Sequence, residues 1–443
     1  MTPPTASRPH GARPKRTSRR PATARVAPSA PAALPGRADV VVVGGGAAGL
    51  MAAIAAAEAG RQVLLLEKNA ALGRKILVSG NGRCNVTNSG ARVENYHGEN
   101  TRFLHGLFAR FGVDRTAAFF DELGVALREE RLGRIFPASN QARAVVDLLE
   151  YRMARLPIDV RLSSPVESVV PEPGGGLRLG VCGRAVRARK AILAAGGCSF
   201  PRLGTTGDGF DWARSLGHRV TPLRPALAPV DAVAPGATEL QGIRLEAEVT
   251  GRAGGRSLRV FRGDLLFTAY GLSGPTVLAA SSDLATRFEA GGTALRINLF
   301  PGQDAGEIDS LLERRWSNDP SRKLGFSFVG LLPARLAPAA LLGLGLDPVT
   351  TSVSQVGREQ RRRIAQTLTA WEVPVSGCRG WDEAEVTAGG VAIEEIDPRT
   401  LESRRAPGLY FCGEMLDVFG DWGGYNFQLA WTTGRIAGEE AAR

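Results

Sequence analysis

Apolar positions near the start of the chain fall into two short runs that flank a helix-length apolar segment. Val40–Val43 is a β-branched run typical of a buried parallel strand, and Gln62–Leu66 has a similar character. Between them, residues 47–59 are mostly alanine and other small apolar residues, as in a helix that packs on a sheet. The pattern predicts a strand–helix–strand unit whose two strands are parallel.

The turn between the first strand and the helix carries glycines at the spacing of a dinucleotide-binding loop. Gly44, Gly46 and Gly49 allow, in that order, a tight turn, a close approach of backbone amides to a pyrophosphate, and close packing of helix on strand. The helix N-terminus adds free N–H groups and partial positive charge for the phosphates. Glu67 ends the second strand, where an acid is expected to bind ribose hydroxyls. We therefore predict a dinucleotide site here.

Polar and periodic segments alternate through the rest of the first half of the chain. Leu72–Asn88 is rich in Gly, Asn and Ser, and we predict a ligand-binding loop here. Its Arg74, Lys75 and Arg83 are suited to phosphate or carboxylate contacts. The other predicted elements are helices over residues 101–127 and 142–156, a strand over 159–162, a hairpin over 165–170 and 177–181, and a strand over 191–197 that ends in two glycines.

Residues 205–375 change to short strands followed by helices. The strands are predicted over residues 227–233, 243–250, 257–261, 264–267 and 295–299, and the helices over 305–345 and 360–368. We interpret this region as a domain inserted into a dinucleotide-binding domain that spans residues 38–204 and resumes at 376–443. Arg361, Arg362 and Arg363 are interpreted as a solvated helix face, with nucleic-acid contact as the alternative.

The C-terminal segment supplies a second helix N-terminus next to a strand. Gly408–Glu414 is predicted as a strand that ends in a glycine and an acid, and Asp417 follows it. Gly420–Asn426 then opens a helix over Phe427–Glu440. A flavin dinucleotide needs two such helix ends, one for its phosphates and one for the negative charge that develops on its ring during reduction.

The positive charge of the chain is concentrated in its first residues. The formal net charge is +11, but residues 1–37 hold eight Lys and Arg and no Asp or Glu. The remaining residues carry 47 basic against 44 acidic side chains, a net charge of +3. We predict a disordered basic tail over residues 1–37, with weak nucleic-acid or acidic-surface binding as the alternative to an unselective extension. Arg19 and Arg20 precede no apolar segment, which argues against export and for a cytoplasmic protein.

Cysteines, histidines and apolar runs exclude several other classes of protein. The five cysteines form no C-x-x-C pair, which favours free thiols in a cytosolic protein. Cys84 lacks the second cysteine of a disulfide reductase and is interpreted as structural. The four histidines have no metal-ligand spacing, so no metal site is predicted. No apolar run reaches the roughly 18 residues of a membrane span, so no span is predicted either.

Five longer segments, in order along the chain, form a more specific signature than the glycine turn. They are GRKILVSGNGRCNVTN at residues 73–88, AAGGCSFPRLGTTGDGF at 194–210, LFTAYGLSGP at 266–275, TAGGV at 387–391 and LYFCGEMLDVFGDWGGYNFQ at 409–428. With them, residues 38–443 resemble the YhiN/BaiN-like family of NAD(P)/FAD-dependent oxidoreductases, within the two-dinucleotide-binding-domain flavoproteins. The resemblance implies an α/β fold: a Rossmann-like FAD-binding domain with an inserted β-barrel and a small helical part at about residues 305–345. It also implies non-covalent FAD.

The resemblance assigns FAD contacts position by position. The pyrophosphate would contact Gly44, Gly46, Ala47, Ala48 and Gly49, and the adenosine and phosphates would contact Glu67, Lys68, Arg74, Lys75 and Val166. The ribityl chain and ring would be surrounded by Ser79, Gly80, Asn81, Gly82, Arg83, Cys84 and Asn85. The residues beneath the cofactor would be Ala195, Gly196 and Gly197, and those that close the ring side would be Gly413, Glu414, Asp417, Gly423, Gly424, Tyr425 and Asn426. Ala269 replaces the histidine expected in the motif L-F-T-H-x-G-L-S-G-P, and Ala195 and Cys198 also differ from other members. The resemblance therefore implies FAD but not one member's substrate.

The leading hypothesis is an FAD-dependent oxidoreductase that moves hydride between the flavin and a small organic substrate. A second G-x-G-x-x-G turn in strand context is missing, so NAD(P)H is expected to dock transiently on the flavin as reductant. Reduction of an activated C=C bond and oxidation of an amine with O₂ both remain open. The alternatives from other classes are an RNA-modifying, nucleic-acid-associated flavoprotein and a flavin sensor without turnover, although no stable nucleic-acid partner is expected.

The sequence does not identify the catalytic residues or the oligomeric state. Arg83, Asn85 and Tyr425 are candidates for contact with the flavin ring or the substrate. Tyr270 and Ser273 are candidates for lining the pocket from the inserted domain. Each of these residues is expected to bind or pack rather than to donate a proton.

Overall fold

The computed structural model describes residues 34–232, 237–285, 287–288 and 291–443. The predicted basic tail lies outside these residues except for residues 34–37, and Arg37 already belongs to the first strand. The strands, numbered in chain order, are β1 (Arg37–Val43), β2 (Val63–Leu66), β3 (Thr87–Asn88), β4 (Tyr96–His97), β5 (Leu127–Glu129), β6 (Arg134–Pro137), β7 (Ile158–Arg161), β8 (Val166–Pro171), β9 (Leu177–Val181), β10 (Arg184–Leu193), β11 (Arg224–Ala226), β12 (Val230–Ala232), β13 (Arg244–Ala253), β14 (Arg256–Thr268), β15 (Gly271–Ser273), β16 (Ala294–Asn298), β17 (Trp371–Cys378), β18 (Val386–Ala388), β19 (Leu409–Phe411) and β20 (Phe419–Gly420). The α-helices are α1 (Ala47–Glu58), α2 (Arg74–Gly82), α3 (Leu104–Arg110), α4 (Val113–Glu122), α5 (Ala142–Met153), α6 (Asp208–Ser215), α7 (Ala237–Leu240), α8 (Pro275–Leu284), α9 (Ala305–Ser317), α10 (Leu324–Ser327), α11 (Leu336–Leu341), α12 (Arg358–Thr369) and α13 (Tyr425–Ala441).

A seven-stranded sheet forms the centre of the dinucleotide-binding part of the chain. Its parallel strands have the order β7-β2-β1-β10, and β19 pairs with the end of β10. The hairpin of β8 and β9 pairs antiparallel with the start of β10. Val40–Val43 pairs in register with Val63–Leu66 on one side and with Lys190–Leu193 on the other. The predicted unit with two parallel strands is therefore confirmed.

Helices α1 and α13 pack closely against each other. Most of α1 is buried on all sides, which is why it carries alanines rather than one apolar stripe. On α13, a Cβ atom at Gly434 would overlap the carbonyl oxygen of Ala48, and one at Gly438 would overlap that of Ala52. These contacts mean that the two helices run in the same direction with their backbones touching. Gly434 lies near the middle of α13, whereas Ala48 lies at the start of α1. At the rise of an α-helix, the N-terminus of α13 therefore extends about 12 Å beyond that of α1.

A closed six-stranded antiparallel barrel has the strand order β12-β15-β14-β13-β16-β17. Buried side chains such as Val249 and Phe267 belong to the apolar core that the barrel shares with its neighbouring helices. The two strands predicted over residues 257–261 and 264–267 are one continuous strand, β14. Gly263 joins them at a φ of 154°, a backbone conformation that residues with side chains rarely adopt. The inserted barrel implied by the resemblance is therefore confirmed.

The segment Leu72–Asn88 begins with a helix, so the prediction of a loop throughout is wrong. Ile76 is fully buried within α2 and anchors a run that is otherwise polar. The regular helix ends where Ser79 turns to a ψ of 149° and Gly80 and Asn81 take φ values of 55° and 56°. The polar composition reflects this final turn, which faces the cavity described below.

The longer predicted helices are divided in the structure. Residues 101–127 contain α3 and α4, and residues 305–345 contain α9, α10 and α11. Arg361 on α12 pairs with Asp309 on α9 (Nε–Oδ1, 2.8 Å), so this arginine joins two helices instead of forming a free basic face. Of the described helices, none combines the length and the apolar character that crossing a membrane requires.

Candidate active site

A cavity of about 480 Å³ extends between the N-termini of α1 and α13. Its walls come from the end of the central sheet, from the turn after α2, and from the segments around β11 and β18. A volume of this size is typical of a pocket for a small molecule or cofactor. No side chain caps the N-terminus of either helix, because the residue before each helix is a glycine.

The glycines of the first turn have different roles at the α1 end of the cavity. A Cβ atom at Gly44 would overlap the carbonyl oxygen of Ala194, where β1 and β10 end side by side. A Cβ atom at Gly49 would overlap the carbonyl oxygen of Gly44. A Cβ atom at Gly46 would meet no protein atom within 4 Å, and Gly46 lines the cavity. Gly44 and Gly49 thus allow close packing, whereas Gly46 leaves room for a ligand.

Glu67 is buried beside this turn and supports it directly. Its Oε2 atom accepts a hydrogen bond from the Gly45 amide (2.6 Å), and its Oε1 atom accepts from the Asn69 amide (2.7 Å). Both carboxylate oxygens therefore hold the backbone around the glycine turn. Contact with a ribose stays a prediction, and a carboxylate oxygen has room for a further donor.

Basic side chains along the middle of the cavity are held by acidic and polar neighbours. Lys75 Nζ donates to Ser199 Oγ (2.8 Å) and pairs with Glu414 Oε2 (2.9 Å). Ser199 Oγ donates to Glu414 Oε1 (3.0 Å). Lys68 Nζ pairs with Asp208 Oδ2 (2.6 Å) nearer the α1 end. The predicted contacts Lys68, Lys75 and Glu414 all line the cavity, and each is held in an ion pair with another side chain of the protein.

Residues at the cavity walls fit FAD. The Oδ1 atom of Asn85 is buried without a hydrogen-bond partner among the described residues, and Asn85 lines the cavity. A buried acceptor without a donor is costly, so a ligand N–H or O–H group suits this position. Together with the two uncapped helix N-termini and the open space at Gly46, this orphan acceptor matches a long polar cofactor with phosphates at one end.

The α13 end of the cavity is largely apolar and contains an arginine without a carboxylate partner. Leu227, Phe136 and Trp422 line it. Arg134 lies with its guanidinium carbon 5.2 Å from the centre of the Trp422 ring. Among the ion pairs of the described residues, none includes Arg134, and burial lowers the pKa of its guanidinium. Arg83, in contrast, stacks over Phe136 at 4.0 Å and pairs with Glu130 at 3.0 Å.

Glu385 is a functional candidate that sequence reasoning missed. It is half-buried in the wall of the cavity, and its backbone amide donates to the carbonyl oxygen of Leu227. Burial raises the pKa of its carboxyl to about 7, although the positive charge of Lys75 and the nearby Trp422 side chain act in the opposite direction. In the sequence it stands in the run Asp382–Glu385, which resembles an ordinary solvated acidic segment. Its position two residues before the T-A-G-G-V segment was the one available signal.

Most of the predicted site residues come together around this cavity. Those that line it are Gly44, Gly46, Ala47, Ala48, Glu67, Lys68, Arg74, Lys75, Ser79, Gly80, Asn81, Arg83, Asn85, Val166, Ala195, Gly196, Gly413, Glu414, Gly423, Gly424 and Asn426. Those outside its lining are Gly49, Gly82, Cys84, Gly197, Asp417 and Tyr425.

Several of the outlying residues are occupied elsewhere. The Tyr425 ring packs edge-on against Tyr96, with 6.3 Å between the ring centres. Cys84 is fully buried, and burial raises its pKa to about 12, which fits a structural thiol. Tyr270 lies beneath the Arg379 guanidinium at 4.3 Å, and neither Tyr270 nor Ser273 lines the cavity.

In the described part of the chain, no three His, Cys, Asp or Glu side chains are grouped so that they could hold an ion.

Comparison with known proteins gives the chain a family. The family model described as HI0933-like protein Rossmann domain matches residues 38–440. The 3-dehydro-bile acid delta(4,6)-reductase of Clostridium scindens is 35% identical over 404 residues, which cover 90% of this chain and 98% of that protein. The ribosomal RNA dihydrouridine synthase of Escherichia coli is 37% identical over 400 residues, 90% of this chain and 96% of that protein. The solved structure of 3-ketosteroid delta1-dehydrogenase from Sterolibacterium denitrificans is 15% identical, with a TM-score of 0.48 over 92% of this chain and all of that one.

The family match spans the central sheet, the barrel and α13, and it confirms the resemblance to YhiN/BaiN-like flavoproteins. The chain therefore belongs to the HI0933-like family and is an FAD-dependent oxidoreductase.

Proposed function

We propose that this protein reduces a C=C bond conjugated to a carbonyl group in a small organic substrate, with NAD(P)H as the reductant. The observation that carries the proposal is the α13 end of the cavity. There an apolar wall surrounds one half-buried acid, Glu385, and one arginine without a carboxylate partner, Arg134. An apolar site with one acid and one cation suits an uncharged substrate with a polarised double bond.

The names of the two relatives support this bond type. A delta-4 double bond in a 3-dehydro bile acid is conjugated to the 3-carbonyl, and dihydrouridine arises by saturation of the ring C=C bond next to a carbonyl of uracil. The two products are chemically unlike, but both reactions add hydrogen across a polarised alkene. Amine oxidation with O₂ finds no corresponding support in these relatives.

The residues that line the cavity would hold FAD in one orientation. The Gly44–Ala48 turn and the N-terminus of α1 would bind the pyrophosphate, and the α13 N-terminus with Asn85 would face the ring. When bound, FAD supplies hydride transfer between the nicotinamide and the alkene. NAD(P)H has no glycine turn of its own in the sequence, so it would exchange with the substrate at the ring face.

An anaerobic titration of the purified holoprotein tests the proposal. Flavin absorbance should bleach on addition of NADH or NADPH and return on addition of a cyclic enone such as cyclohex-2-enone or a steroid 4-en-3-one. Free FAD with the same reagents is the control for direct reaction. Bleaching by amines without nicotinamide, or a reduced flavin that no enone reoxidises, would contradict the proposal.

Uridine in RNA is the second candidate substrate, because the Escherichia coli relative carries that activity in its name. Mass spectrometry of an unmodified ribosomal RNA transcript, incubated with protein and NADPH, would detect a gain of two hydrogen atoms per reduced uridine. The surroundings of Arg134 favour the small substrate: Arg83 and Arg128 both pair with Glu130, and Arg131 pairs with Glu246. These carboxylates offset the positive charge that an RNA backbone would require.

A further inference from the structure

Resting on the proposed reduction of a conjugated alkene, we propose that Glu385 donates the proton to the substrate carbon next to the carbonyl, while Arg134 binds the carbonyl oxygen. Neither residue belongs to the sequence motifs that carry the family resemblance. Both line the cavity, and Trp422, which also lines it, is a neighbour of each. Its ring faces the Arg134 guanidinium, and its side chain is close enough to Glu385 to lower the pKa of that carboxyl.

The backbone around Glu385 is fixed on two sides. Its amide donates to the carbonyl oxygen of Leu227 (3.1 Å), and its own carbonyl oxygen lies 3.2 Å from Ser199 Oγ. The next residue, Val386, begins β18 and pairs with Ala226 of β11. Because the main chain is held in this way, Glu385 has a fixed place in the cavity wall, which suits a catalytic acid.

The electrostatic surroundings of Glu385 keep a proton available near neutral pH. Burial raises its pKa to about 7, so protonated and ionised forms are both present at neutral pH. Lys75 faces it from α2 and lowers the pKa, but Lys75 is itself paired with Glu414, whose negative charge offsets that of the ammonium group. A general acid is most effective when its pKa lies near the working pH.

Among the described residues, Arg134 has no carboxylate partner, so its guanidinium is available to a ligand. Its Nε atom donates to the carbonyl oxygen of Arg131 (3.0 Å), which restrains the side chain, and Arg134 lines the cavity. Phe136 and Trp422 flank the guanidinium at 5.8 and 5.2 Å. A desolvated guanidinium stabilises negative charge that develops on a carbonyl oxygen.

The proposed step balances in atoms and electrons. The alkene π bond breaks, and hydride derived from NAD(P)H forms a C–H bond at the carbon distal to the carbonyl. The O–H bond of Glu385 breaks, and its proton forms the second C–H bond at the carbon adjacent to the carbonyl. The substrate gains two electrons and the nicotinamide loses two. The Glu385 carboxylate then takes a proton from water before the next turnover.

Glu385→Gln tests the proton transfer, with Glu383→Gln as the matched control. Glu383 pairs with Arg379 (2.7 Å) and lies outside the cavity lining. The holoprotein is reduced with dithionite and mixed anaerobically with cyclohex-2-enone in a stopped-flow instrument. We expect reoxidation to slow about 100-fold or more in Glu385→Gln, the usual contribution of a general acid, and to keep its rate in Glu383→Gln. Ferricyanide needs no carbon protonation, so its reaction should be unaffected in both variants.

The pH dependence supplies a second signature. Because the protonated carboxyl is the active form, the enone rate of the unsubstituted protein should fall as the pH rises through about 7. Glu385→Gln should lack that decline. An infrared titration should show a carboxylic acid C=O band that disappears over the same pH range and is absent in Glu385→Gln, a readout independent of turnover. Arg134→Met should raise the half-saturating enone concentration about tenfold or more, through loss of a charge-assisted hydrogen bond.

The experiments distinguish a wrong assignment of Glu385 from a wrong assignment of the enone reduction itself. If the unsubstituted protein is reoxidised by enones and Glu385→Gln reacts at the same rate with the same pH profile, the proton-donor assignment is wrong and the proposed function stands. If no enone reoxidises the unsubstituted protein, the proposed function fails and the assignment fails with it. A retained infrared band in Glu385→Gln would also overturn the assignment, because the titrating acid would then be another residue.

Discussion

At the scale of single residues, one glycine of the turn is needed for cofactor space and another for the packing of the fold. Gly46 has φ −83° and ψ −175°, which alanine adopts without strain, and a Cβ atom there meets no protein atom within 4 Å. Gly46→Ala should therefore fold normally but lose FAD affinity by about tenfold or more, since the methyl group occupies ligand space. Flavin content after gel filtration and the Tm of the apoprotein measure the two effects.

Gly49→Ala is the contrasting variant in the same turn. Its Cβ atom would overlap the carbonyl oxygen of Gly44, so the helix must move away from the strand. We expect a loss of about 1–3 kcal/mol of stability in the apoprotein itself. Full FAD retention in Gly46→Ala would mean that the pyrophosphate does not lie over this turn.

Thiol reactivity should distinguish the exposed cysteine from the buried ones. Cys182 is exposed, whereas Cys84 and Cys412 are fully buried, and burial raises the pKa of both buried thiols. A disulfide reagent should therefore react fast with Cys182 and with the two buried thiols only on unfolding. Cys182→Ser should remove the fast phase. Fast labelling of Cys84, identified by peptide mass spectrometry, would contradict its structural assignment.

At the scale of elements, the sequence predicts those whose apolar pattern is local. The runs Val40–Val43 and Gln62–Leu66 mark buried strands, because a parallel strand inside a sheet is apolar on both faces. Helix α2 was missed because a single buried residue, Ile76, anchors it amid polar neighbours. The length of β14 was missed because the pattern cannot show that Gly263 continues a strand rather than ending it.

The candidate site follows the same division between local and long-range information. The glycine turn and Asn85 lie in local motifs, and both line the cavity. Glu385 and Arg134 become neighbours of one cavity only because β18 pairs with β11 and β6 pairs with β3 and β5. The pairings of β11 with β18 and of β3 with β6 join segments far apart in the chain, so no local pattern records them. The ring of Tyr425 turns toward Tyr96 for a related reason, since helix packing sets its direction.

The contact between α1 and α13 should be sensitive to one methyl group. Gly434→Ala places a Cβ atom against the carbonyl oxygen of Ala48, in the first turn of α1. Separation of the helices should cost about 1–3 kcal/mol and lower the Tm by several degrees. FAD retention should fall as well, because the two helix N-termini lie at the cavity and would shift relative to each other.

Gly106→Ala on α3 is the matched control for this substitution. Its Cβ atom meets no protein atom within 4 Å, so alanine should be neutral or add up to about 1 kcal/mol. Equal Tm values for Gly434→Ala and the unsubstituted protein would show that the close backbone contact is not required.

At the scale of the whole molecule, distant parts of the chain complete the same site. β1 and β19 pair with the same strand, β10, although the barrel separates them in sequence. Arg259 on the barrel strand β14 pairs with Asp283 (2.7 Å) and with Asp421 (3.1 Å), just before α13. The residues that line the cavity extend from Val43 to Ala430 along the chain, so the cavity requires most of the fold. Cofactor binding and folding are coupled as a result, and added FAD should stabilise the protein in proportion to the logarithm of its concentration.

The stability of the folded chain should fall in mild acid because of one buried histidine. The side chain of His218 is fully buried, with Nε2 2.8 Å from Ser403 Oγ and Nδ1 3.2 Å from Glu395 Oε2. Burial lowers the pKa of His218, although Glu395 acts in the opposite direction and Arg405 adds to the lowering. The unfolded chain, with an ordinary histidine pKa near 6.5, then binds a proton before the folded chain does. Stability therefore falls as the pH decreases below about 6.5. His218→Gln lacks this ionisation, so the Tm difference between the unsubstituted protein and His218→Gln should narrow from pH 7 to pH 5. A constant Tm difference over that range would show that His218 binds its proton equally well in both states.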